Sequence, residues 1–242
     1  MAQGAAFFDI DGTIYREGLI TELFKKMVTH EIIEQKRWYD EVKPAFMAWD
    51  RRQGDYDTYL SRMVEIFKEA TVGISSEHIE LIARKVIEQK GDRVYQFTRR
   101  EIERHRAEGR PIIAVSGSPD ALVREMAEKY RFTDWRGTVY ETDGQGVYTG
   151  RIVPMWDSAS KKRAILALAE QYDLDLAQCW AYGDTAGDLT MLGLCGHPTA
   201  INPTRELLTK IRADEQLKAR CRVVVERKDV IYRLDLDTLN LE

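Results

Sequence analysis

The chain has 242 residues, of which 44% are hydrophobic and 31% are charged, and its formal net charge is −4. These values are typical of a globular protein and argue against a disordered chain. The length allows one large α/β domain or two smaller domains. A nucleic-acid-binding protein usually carries a basic excess, so we expect no nucleic-acid partner.

No apolar run approaches the roughly 18 residues of a membrane span, so no membrane association is expected. The N-terminus lacks the basic region, apolar stretch and small-residue cleavage site of a secretory signal. Cys179, Cys195 and Cys221 are odd in number and scattered, which is typical of free thiols in a reducing compartment. We therefore predict a cytoplasmic protein, and the sequence leaves open whether it forms a homo-oligomer.

The first predicted strand runs from Ala5 to Ile10 and is a short apolar run that ends in a glycine-containing turn. Asp9 and Asp11 lie at its carboxyl end, where parallel sheets bind ligands, and alternate residues project to the same side. Adjacent buried carboxylates repel, and a divalent cation such as Mg²⁺ relieves that repulsion. Gly12 permits a tight turn whose N–H groups face an anion, so phosphate chemistry is indicated. The alternative is a solvated strand end with a common Asp-Gly turn.

The second region, from about residue 19 to residue 100, shows helical periodicity and no convincing strand alternation. Gly54 and Gly73 are the predicted breaks between helices, and we predict a bundle of about four helices. Several aromatic residues recur at helical spacing and are predicted to form the inner face of this bundle: Trp38, Phe46, Trp49, Tyr56 and Tyr59.

The third region begins near Gly109 and alternates strands with helices. The sequence predicts strands at PIIAVS, QCWAYG, TAIN and RVVVE, a hairpin at GTVYETDGQGVYTGRIV, and helices from Pro119, Ser160 and Asp188. This alternation predicts an α/β fold with a doubly wound parallel sheet that includes the first strand. We predict that residues 1–15 and 101–242 form this core and that residues 16–100 form an inserted helical domain.

Three further strand or helix ends carry candidate site residues. Ser116 and Gly117 end a strand, and Ser118 and Pro119 are predicted as the N-cap and first position of a helix. A serine hydroxyl at a helix N-terminus forms an anion site, although a simple capped turn has the same pattern.

Lys161 and Lys162 lie in the first turn of the next helix, where cations oppose the helix dipole unless an anion is close. The alternative is that they point into water. Asp184 ends a later strand and can reach the same metal as Asp9. Asp188 follows four residues later and is predicted either to support the metal ligands or to cap a helix.

The ordered set FFDIDGT, VSGS, the lysine of SKKRAI and GDTAGD resembles the haloacid dehalogenase superfamily of phosphatases and spans nearly the whole chain. The helical insertion after the first motif resembles the phosphoserine-phosphatase-like branch. GVYTGRI and AINPTRELL also resemble hydrolases of that branch, whose substrates are often unassigned. The resemblance implies a Rossmann-like core and a helical cap that closes over the site.

The resemblance also implies residue roles. Asp9 would be the nucleophile that forms an aspartyl-phosphate, and Asp11 the general acid and base. Mg²⁺ would be held by the Asp9 carboxylate, the Asp11 backbone carbonyl and Asp184. Phosphate binding would fall to Gly12, Ser116, Gly117 and Lys161, with Lys162 as the alternative to Lys161.

The implied activity is a magnesium-dependent phosphomonoesterase that acts on a small phosphorylated metabolite. Dehalogenases of the superfamily lack the second aspartate, so Asp11 favours phosphoryl transfer. The alternatives are a phosphotransferase or phosphomutase of the same superfamily, a phosphoserine phosphatase, and a non-catalytic binding protein that retains the fold.

The resemblance to phosphoserine phosphatases is incomplete at the positions whose side chains contact the substrate in that family. Those enzymes have serine where this chain has Gly12. They have a glutamate where this chain has Gly18, with Glu17 one residue away, and an arginine near the position of Met63, with Arg62 adjacent. We therefore expect phosphoserine to be a poor substrate. The candidates for selecting the substrate from the helical insertion are Arg16, Glu17 and Arg62, and the alternative is that these side chains lie on a solvated surface.

Overall fold

A computed structural model describes residues 3–240, and of residues 56 and 57 it describes the backbone. The predicted place of the Tyr56 side chain in the aromatic inner face lies outside the described residues. The first strand and the helices that follow it are β1 (Ala6–Phe8), α1 (Leu19–Thr29), α2 (Gln35–Arg37), a π-helical stretch (Trp38–Val42), α3 (Lys43–Asp50), α4 (Tyr56–Thr71), α5 (Ser76–Lys90) and α6 (Gln96–Ala107).

The remainder of the chain alternates strands with helices. Its elements are β2 (Ile112–Pro119), α7 (Asp120–Lys129), β3 (Asp134–Thr142), β4 (Tyr148–Val153), α8 (Ser158–Gln171), a 3₁₀ turn (Leu176–Gln178), β5 (Trp180–Gly183), a 3₁₀ turn (Ala186–Asp188), α9 (Leu189–Leu194), β6 (His197–Ile201), α10 (Arg205–Ala213), α11 (Glu215–Lys218), β7 (Arg222–Arg227) and β8 (Val230–Leu234).

The eight strands form one sheet in the order β4-β3-β2-β1-β5-β6-β7-β8. The strands from β3 to β7 in this order pair in parallel, and the two edge strands β4 and β8 are antiparallel. The predicted α/β fold with a mainly parallel sheet is confirmed, and the short first strand lies at its centre.

Strand β1 is apolar throughout because helices cover both faces of the sheet. Ala6 and Phe8 pack into a core cluster shared with α1, α4, α5, α6 and α7. Ala5 and Phe7 point to the opposite face and pack into a second cluster shared with α8, α9 and α10. Successive side chains of a strand alternate between faces, so a run without polar residues is what a doubly covered strand needs.

The helices between β1 and β2 pack with their aromatic residues in mutual contact. The Phe46 and Tyr59 ring centroids are 5.4 Å apart, and the rings of Trp49 and Tyr59 stack at 5.9 Å. Gly54 lies between α3 and α4, and Gly73 lies between α4 and α5. Helix α6 spans the predicted boundary at residues 100 and 101 and contacts the sheet, so the division of the chain into core and insertion stays a prediction.

A buried polar cluster joins α6 to the sheet. His105 is fully buried, and its Nε2 lies 2.9 Å from the hydroxyl of Tyr182 on β5. That hydroxyl donates to Glu101 at 2.5 Å, and the Tyr182 ring stacks on Phe8 with centroids 4.2 Å apart. Burial, followed by the charge of Arg104, lowers the pKa of His105 to about 3, so the imidazole is neutral in the folded protein.

We predict that His105 makes the protein sensitive to acid. In the unfolded chain the histidine has a pKa of about 6.5 and binds a proton below that pH. In the folded protein His105 binds a proton only when the pH falls to about 3. The unfolded state therefore binds more protons in this window, and stability falls as the pH drops through it by up to about 1.4 kcal/mol per pH unit. Urea unfolding of wild type and His105→Gln from neutral pH to about pH 5 checks this. The variant should lose about 2 kcal/mol less over that range, and equal losses would contradict the assignment.

Among the described residues, every helix is too short or too polar to cross a membrane. Cys179, Cys195 and Cys221 are free and buried, as their scattered positions predicted. Burial raises the pKa of all three thiols, which makes them unreactive core side chains.

Candidate active site

The carboxyl ends of the central strands bring the acidic candidates together. Asp9 follows β1 and Asp184 follows β5, and these two strands pair in parallel with Phe8 opposite Tyr182. Asp188 ends the 3₁₀ turn after β5 and is fully buried. Each of Asp9, Asp184 and Asp188 offers a carboxylate oxygen, and these oxygens lie within 4.8 Å of one another.

Lys161 extends from the first turn of α8 into this acidic cluster. Its Nζ lies 2.7 Å from Asp9 Oδ1 and 2.5 Å from Asp188 Oδ1, and only 3% of the residue is exposed. Lys162 is exposed. The sequence left these two lysines as alternatives, and the structure places Lys161 at the aspartates.

Both carboxylate oxygens of Asp188 accept hydrogen bonds from neighbouring residues. Oδ1 accepts the Lys161 bond, and Oδ2 accepts from the amides of Asp184 and Thr185 at 3.0 and 3.1 Å. With Thr185 it forms a capping box for the turn that follows β5. Both predicted roles of Asp188, capping and support of the acidic cluster, are thus compatible with its contacts. The hydroxyl of Thr13 donates to Asp184 Oδ1 at 3.1 Å, and the sequence patterns did not predict this contact.

The acidic cluster contains three carboxyl groups and one cationic side chain. With all three carboxyl groups deprotonated, the Lys161 ammonium would leave two negative charges uncompensated in a buried position. Burial raises the pKa of Asp9 to about 8 although Lys161 acts in the opposite direction. Burial, followed by the charges of Asp9 and Asp188, also raises the pKa of Asp184. Hard oxygen donors and an excess of two negative charges are what a divalent cation such as Mg²⁺ requires, so these residues fit the metal.

We predict that Mg²⁺ stabilises the protein more strongly as the pH rises. The raised pKa of Asp9 means that the metal-free folded state holds protons that the unfolded state releases between about pH 4 and pH 8, so its stability falls with rising pH. Mg²⁺ binds the deprotonated carboxylates and offsets this loss. The shift in melting temperature caused by Mg²⁺ should be larger at about pH 8.5 than at about pH 5.5. A shift in melting temperature on adding Mg²⁺ that does not depend on pH would contradict the metal site. The same shift retained in the Asp184→Asn variant would also contradict it.

Gly12 makes its backbone contact within its own turn. Its N–H donates to the Tyr15 carbonyl at 2.8 Å, and the implied contact of Gly12 with a phosphate stays a prediction. Gly12 has a φ of +78°, and a Cβ at this position would overlap the Asp184 carboxylate. The glycine is therefore required by backbone conformation and by the close approach of Asp184.

We predict that Gly12→Ala lowers kcat/KM by about 100-fold or more, because the added methyl group displaces Asp184. Gly73→Ala is the matched control: Gly73 has a φ of +80°, and a Cβ there meets nothing within 4 Å. Both variants carry the same backbone strain of about 1–2 kcal/mol, which thermal unfolding measures. Equal losses of activity in the two variants would show that displacement of Asp184 is not the cause.

The serine-rich end of β2 differs from its predicted form. The strand continues through Ser116, Gly117 and Ser118 to Pro119, and its pairing with β3 shifts register between Val115 and Pro119. Ser116 is fully buried, and its Oγ accepts from the Ser118 amide at 3.3 Å. A Cβ on Gly117 would lie 2.9 Å from the Cβ of Trp156, which explains the glycine by close packing.

Ser118 is not the helix cap that the sequence predicted. Helix α7 begins at Asp120, its N-cap is Pro119, and the cap carries no side-chain hydrogen bond. The Ser118 hydroxyl instead donates to Asp11 Oδ2 at 2.5 Å, and the Leu19 amide donates to Asp11 Oδ1 at 2.8 Å. Burial raises the pKa of Asp11, although these two hydrogen bonds act in the opposite direction.

The three residues predicted to select the substrate are engaged in ion pairs. Arg16 bonds the Val94 carbonyl at 3.1 Å and Glu226 at 3.4 Å, while Glu17 pairs with Arg93 at 2.6 Å. Arg62 pairs with Glu41 and Glu65 at 2.8 and 3.0 Å. Their role toward a substrate stays a prediction, and their observed contacts are structural.

The sequence of this chain is similar to those of known proteins. A sequence profile described as haloacid dehalogenase-like hydrolase matches residues 6–193. A Streptomyces azureus relative named inhibition of morphological differentiation protein is 26% identical over 205 residues, which cover 84% of this chain and 73% of that protein. A phosphoserine phosphatase of Mycobacterium tuberculosis is 32% identical over 122 residues, which cover 50% of this chain and 39% of that protein.

Solved structures share the fold at low identity. A Bordetella pertussis protein of unknown function has a TM-score of 0.69 at 17% identity and covers 88% of this chain and 96% of its own. A phosphoserine phosphatase solved as a phospho-aspartyl intermediate analogue has a TM-score of 0.59 at 18% identity and covers 95% of this chain and 96% of its own. At these identities the likeness shows the fold.

Proposed function

The chain belongs to the haloacid dehalogenase-like hydrolases, and from this membership and its acidic site we propose that it is a magnesium-dependent phosphomonoesterase of small phosphorylated metabolites. The observation that carries the proposal is the placement of the Lys161 ammonium 2.7 Å from the buried Asp9 carboxylate, within the cluster of three aspartates. A cation beside a buried carboxylate is what an anionic phosphate needs to approach an anionic nucleophile.

Asp9 and Asp11 divide the chemistry between them. The Asp9 carboxylate attacks phosphorus, and the bond from phosphorus to the ester oxygen breaks while Asp11 gives that oxygen its proton. The alcohol leaves, and Asp9 carries the phosphoryl group as an acyl phosphate. Asp11, now a carboxylate, takes a proton from a water molecule that attacks phosphorus. Inorganic phosphate leaves, the Asp9 carboxylate is restored, and Asp11 is again an acid.

The remaining residues supply charge and position. Lys161 balances charge on Asp9 and on the transferring phosphoryl group, and Asp188 holds its ammonium in place at 2.5 Å. Ser116 offers a buried hydroxyl near the carboxyl end of β2, with Gly117 beside it, for the phosphate oxygens. The Asp9 carboxylate, the Asp11 carbonyl and Asp184 would hold Mg²⁺, which would neutralise negative charge at the site.

The helices between β1 and β2 are proposed to act as a lid over this site. They pack as one hydrophobic cluster with one face of the sheet, and the Leu19 amide at the start of α1 contacts the Asp11 carboxylate. A lid excludes water during the first transfer and contributes side chains that select the substrate. A cytoplasmic location also remains part of the proposal.

The proposal is tested by phosphate release from a panel of phosphorylated metabolites, measured with Mg²⁺ and then with a chelator. The panel contains phosphoserine, histidinol phosphate, phosphocholine, sugar phosphates and nucleoside monophosphates. We expect magnesium-dependent release that is strongest for one member. Absence of release from every member, in protein that still binds Mg²⁺, would contradict the proposal. A competing alcohol that captures the phosphoryl group in place of water would identify a phosphotransferase.

Phosphoserine belongs in the panel because several relatives and structural neighbours carry the name phosphoserine phosphatase. The contacts on this chain do not favour it. Gly18 is the N-cap of α1 and has no side chain, Met63 is fully buried, and Arg62 is paired with two glutamates. We therefore expect another member of the panel to exceed phosphoserine in kcat/KM.

A further inference from the structure

The hydroxyl of Ser118 is directed at Asp11. Ser118 is 3% exposed, and its 2.5 Å hydrogen bond to Asp11 Oδ2 joins residues 107 positions apart in the chain. Helix α7 does not use this hydroxyl, because its N-cap is Pro119. A buried hydroxyl that is not needed to end a strand or begin a helix requires another explanation, and its partner is the proposed acid and base.

Two donors from different elements hold the two oxygens of Asp11. Ser118, at the end of β2, donates to Oδ2, and the Leu19 amide, at the start of α1, donates to Oδ1. The terminal torsion of an aspartate has a broad energy minimum, so one hydrogen bond leaves the carboxylate free to turn. We infer that Ser118 is a positioning residue that fixes the plane of the Asp11 carboxyl group for proton transfer, an inference that rests on the proposed function.

The hydrogen bond from Ser118 to Asp11 has its largest effect during proton transfer to the leaving group. Asp11 gives its proton to the ester oxygen as the bond to phosphorus breaks, and it becomes a carboxylate. The hydrogen bond from Ser118 is then charge-assisted and stronger than the bond to the neutral acid. Ser118 therefore orients the acid before transfer and stabilises the carboxylate that transfer produces, without touching the substrate.

The leaving group distinguishes this role from a general structural role. A p-nitrophenolate ion leaves without a proton, whereas an alkoxide must be protonated as it leaves. We expect Ser118→Ala to lower kcat/KM for an alkyl phosphate, the best one in the metabolite panel, by about 10- to 100-fold. For p-nitrophenyl phosphate the loss should stay below about threefold.

Two further variants give the reference values. Asp11→Asn removes the proton donor and should show the same dependence on leaving group, with a larger loss on the alkyl ester. Ser118→Thr keeps a hydroxyl at this position and should recover most of the activity on the alkyl ester. Thermal unfolding of all three variants confirms that each is folded under the assay conditions.

The outcomes separate this inference from the proposed function. Equal losses on both esters in Ser118→Ala, or no loss on either, would overturn the positioning role and leave the phosphatase proposal intact. Failure of Ser118→Thr to recover activity, in folded protein, would also overturn it. Wild-type protein that releases no phosphate from any ester would overturn the phosphatase proposal and the role of Ser118 together.

Discussion

The Asp9→Asn variant is expected to lose turnover by at least about 10⁴-fold while it keeps its fold. An amide has the shape of the carboxylate but does not attack phosphorus, so the acyl phosphate cannot form. Inorganic phosphate released under saturating Mg²⁺ measures the loss. The effect should be equally large for alkyl and aryl esters, because the nucleophile is needed whatever group leaves.

The fold of this variant should survive because the carboxylate is costly where it lies. Burial raises the pKa of Asp9 to about 8, so the folded protein already favours an uncharged group at this position, and a neutral amide of the same shape is tolerated. Lys161 keeps Asp188 as its partner at 2.5 Å. Asp143→Asn, in the exposed turn between β3 and β4, is the control for the same substitution and should retain full activity. Full activity in Asp9→Asn would remove Asp9 from the chemistry.

The Lys161→Met variant is expected to lose both activity and stability. Methionine fills the space of the buried stem but leaves Asp9 and Asp188 without their ammonium partner. Removing one member of a buried ion pair costs about 3–5 kcal/mol, and loss of a cation at the transferring group costs about 10²–10³-fold in rate. Urea unfolding at neutral pH and phosphate release measure the two effects.

Lys162→Met is the matched control for Lys161→Met. The two residues are adjacent on α8 and carry the same substitution, but Lys162 is exposed. We expect its activity to be unchanged and its stability to change by less than about 0.5 kcal/mol. Similar losses in the two variants would mean that the lysine at the aspartates has no special role.

The fold and the acidic cluster were predictable because they follow from local patterns and one topological rule. The apolar run before Asp9 and the run before Asp184 each indicate a buried strand, and the carboxyl ends of parallel strands meet at one edge. Convergence of Asp9 and Asp184 therefore needed no knowledge of side-chain geometry. The choice between Lys161 and Lys162 did need it, because adjacent helical residues differ by about 100° in direction.

The contacts of Gly12 and Ser118 could not be predicted from the sequence, because they depend on local backbone geometry. The Gly12 amide has a competing acceptor, the Tyr15 carbonyl, within its own turn, and turn geometry decides which acceptor it takes. Ser118 precedes a helix and has the residue type of a cap, but β2 shifts its pairing with β3 between Val115 and Pro119. Such an irregularity redirects side chains, and sequence periodicity does not contain it.

The most direct test of the central claim is to locate the covalent phosphoryl group. The protein is mixed with Mg²⁺ and its best substrate, quenched in acid within milliseconds, digested and examined by mass spectrometry. We predict one phosphoryl group on the peptide that contains Asp9, sensitive to hydroxylamine as an acyl phosphate is, and absent from Asp9→Asn. A phosphoryl group on a peptide without Asp9, or one that persists in Asp9→Asn, would contradict the assignment of Asp9 as the nucleophile.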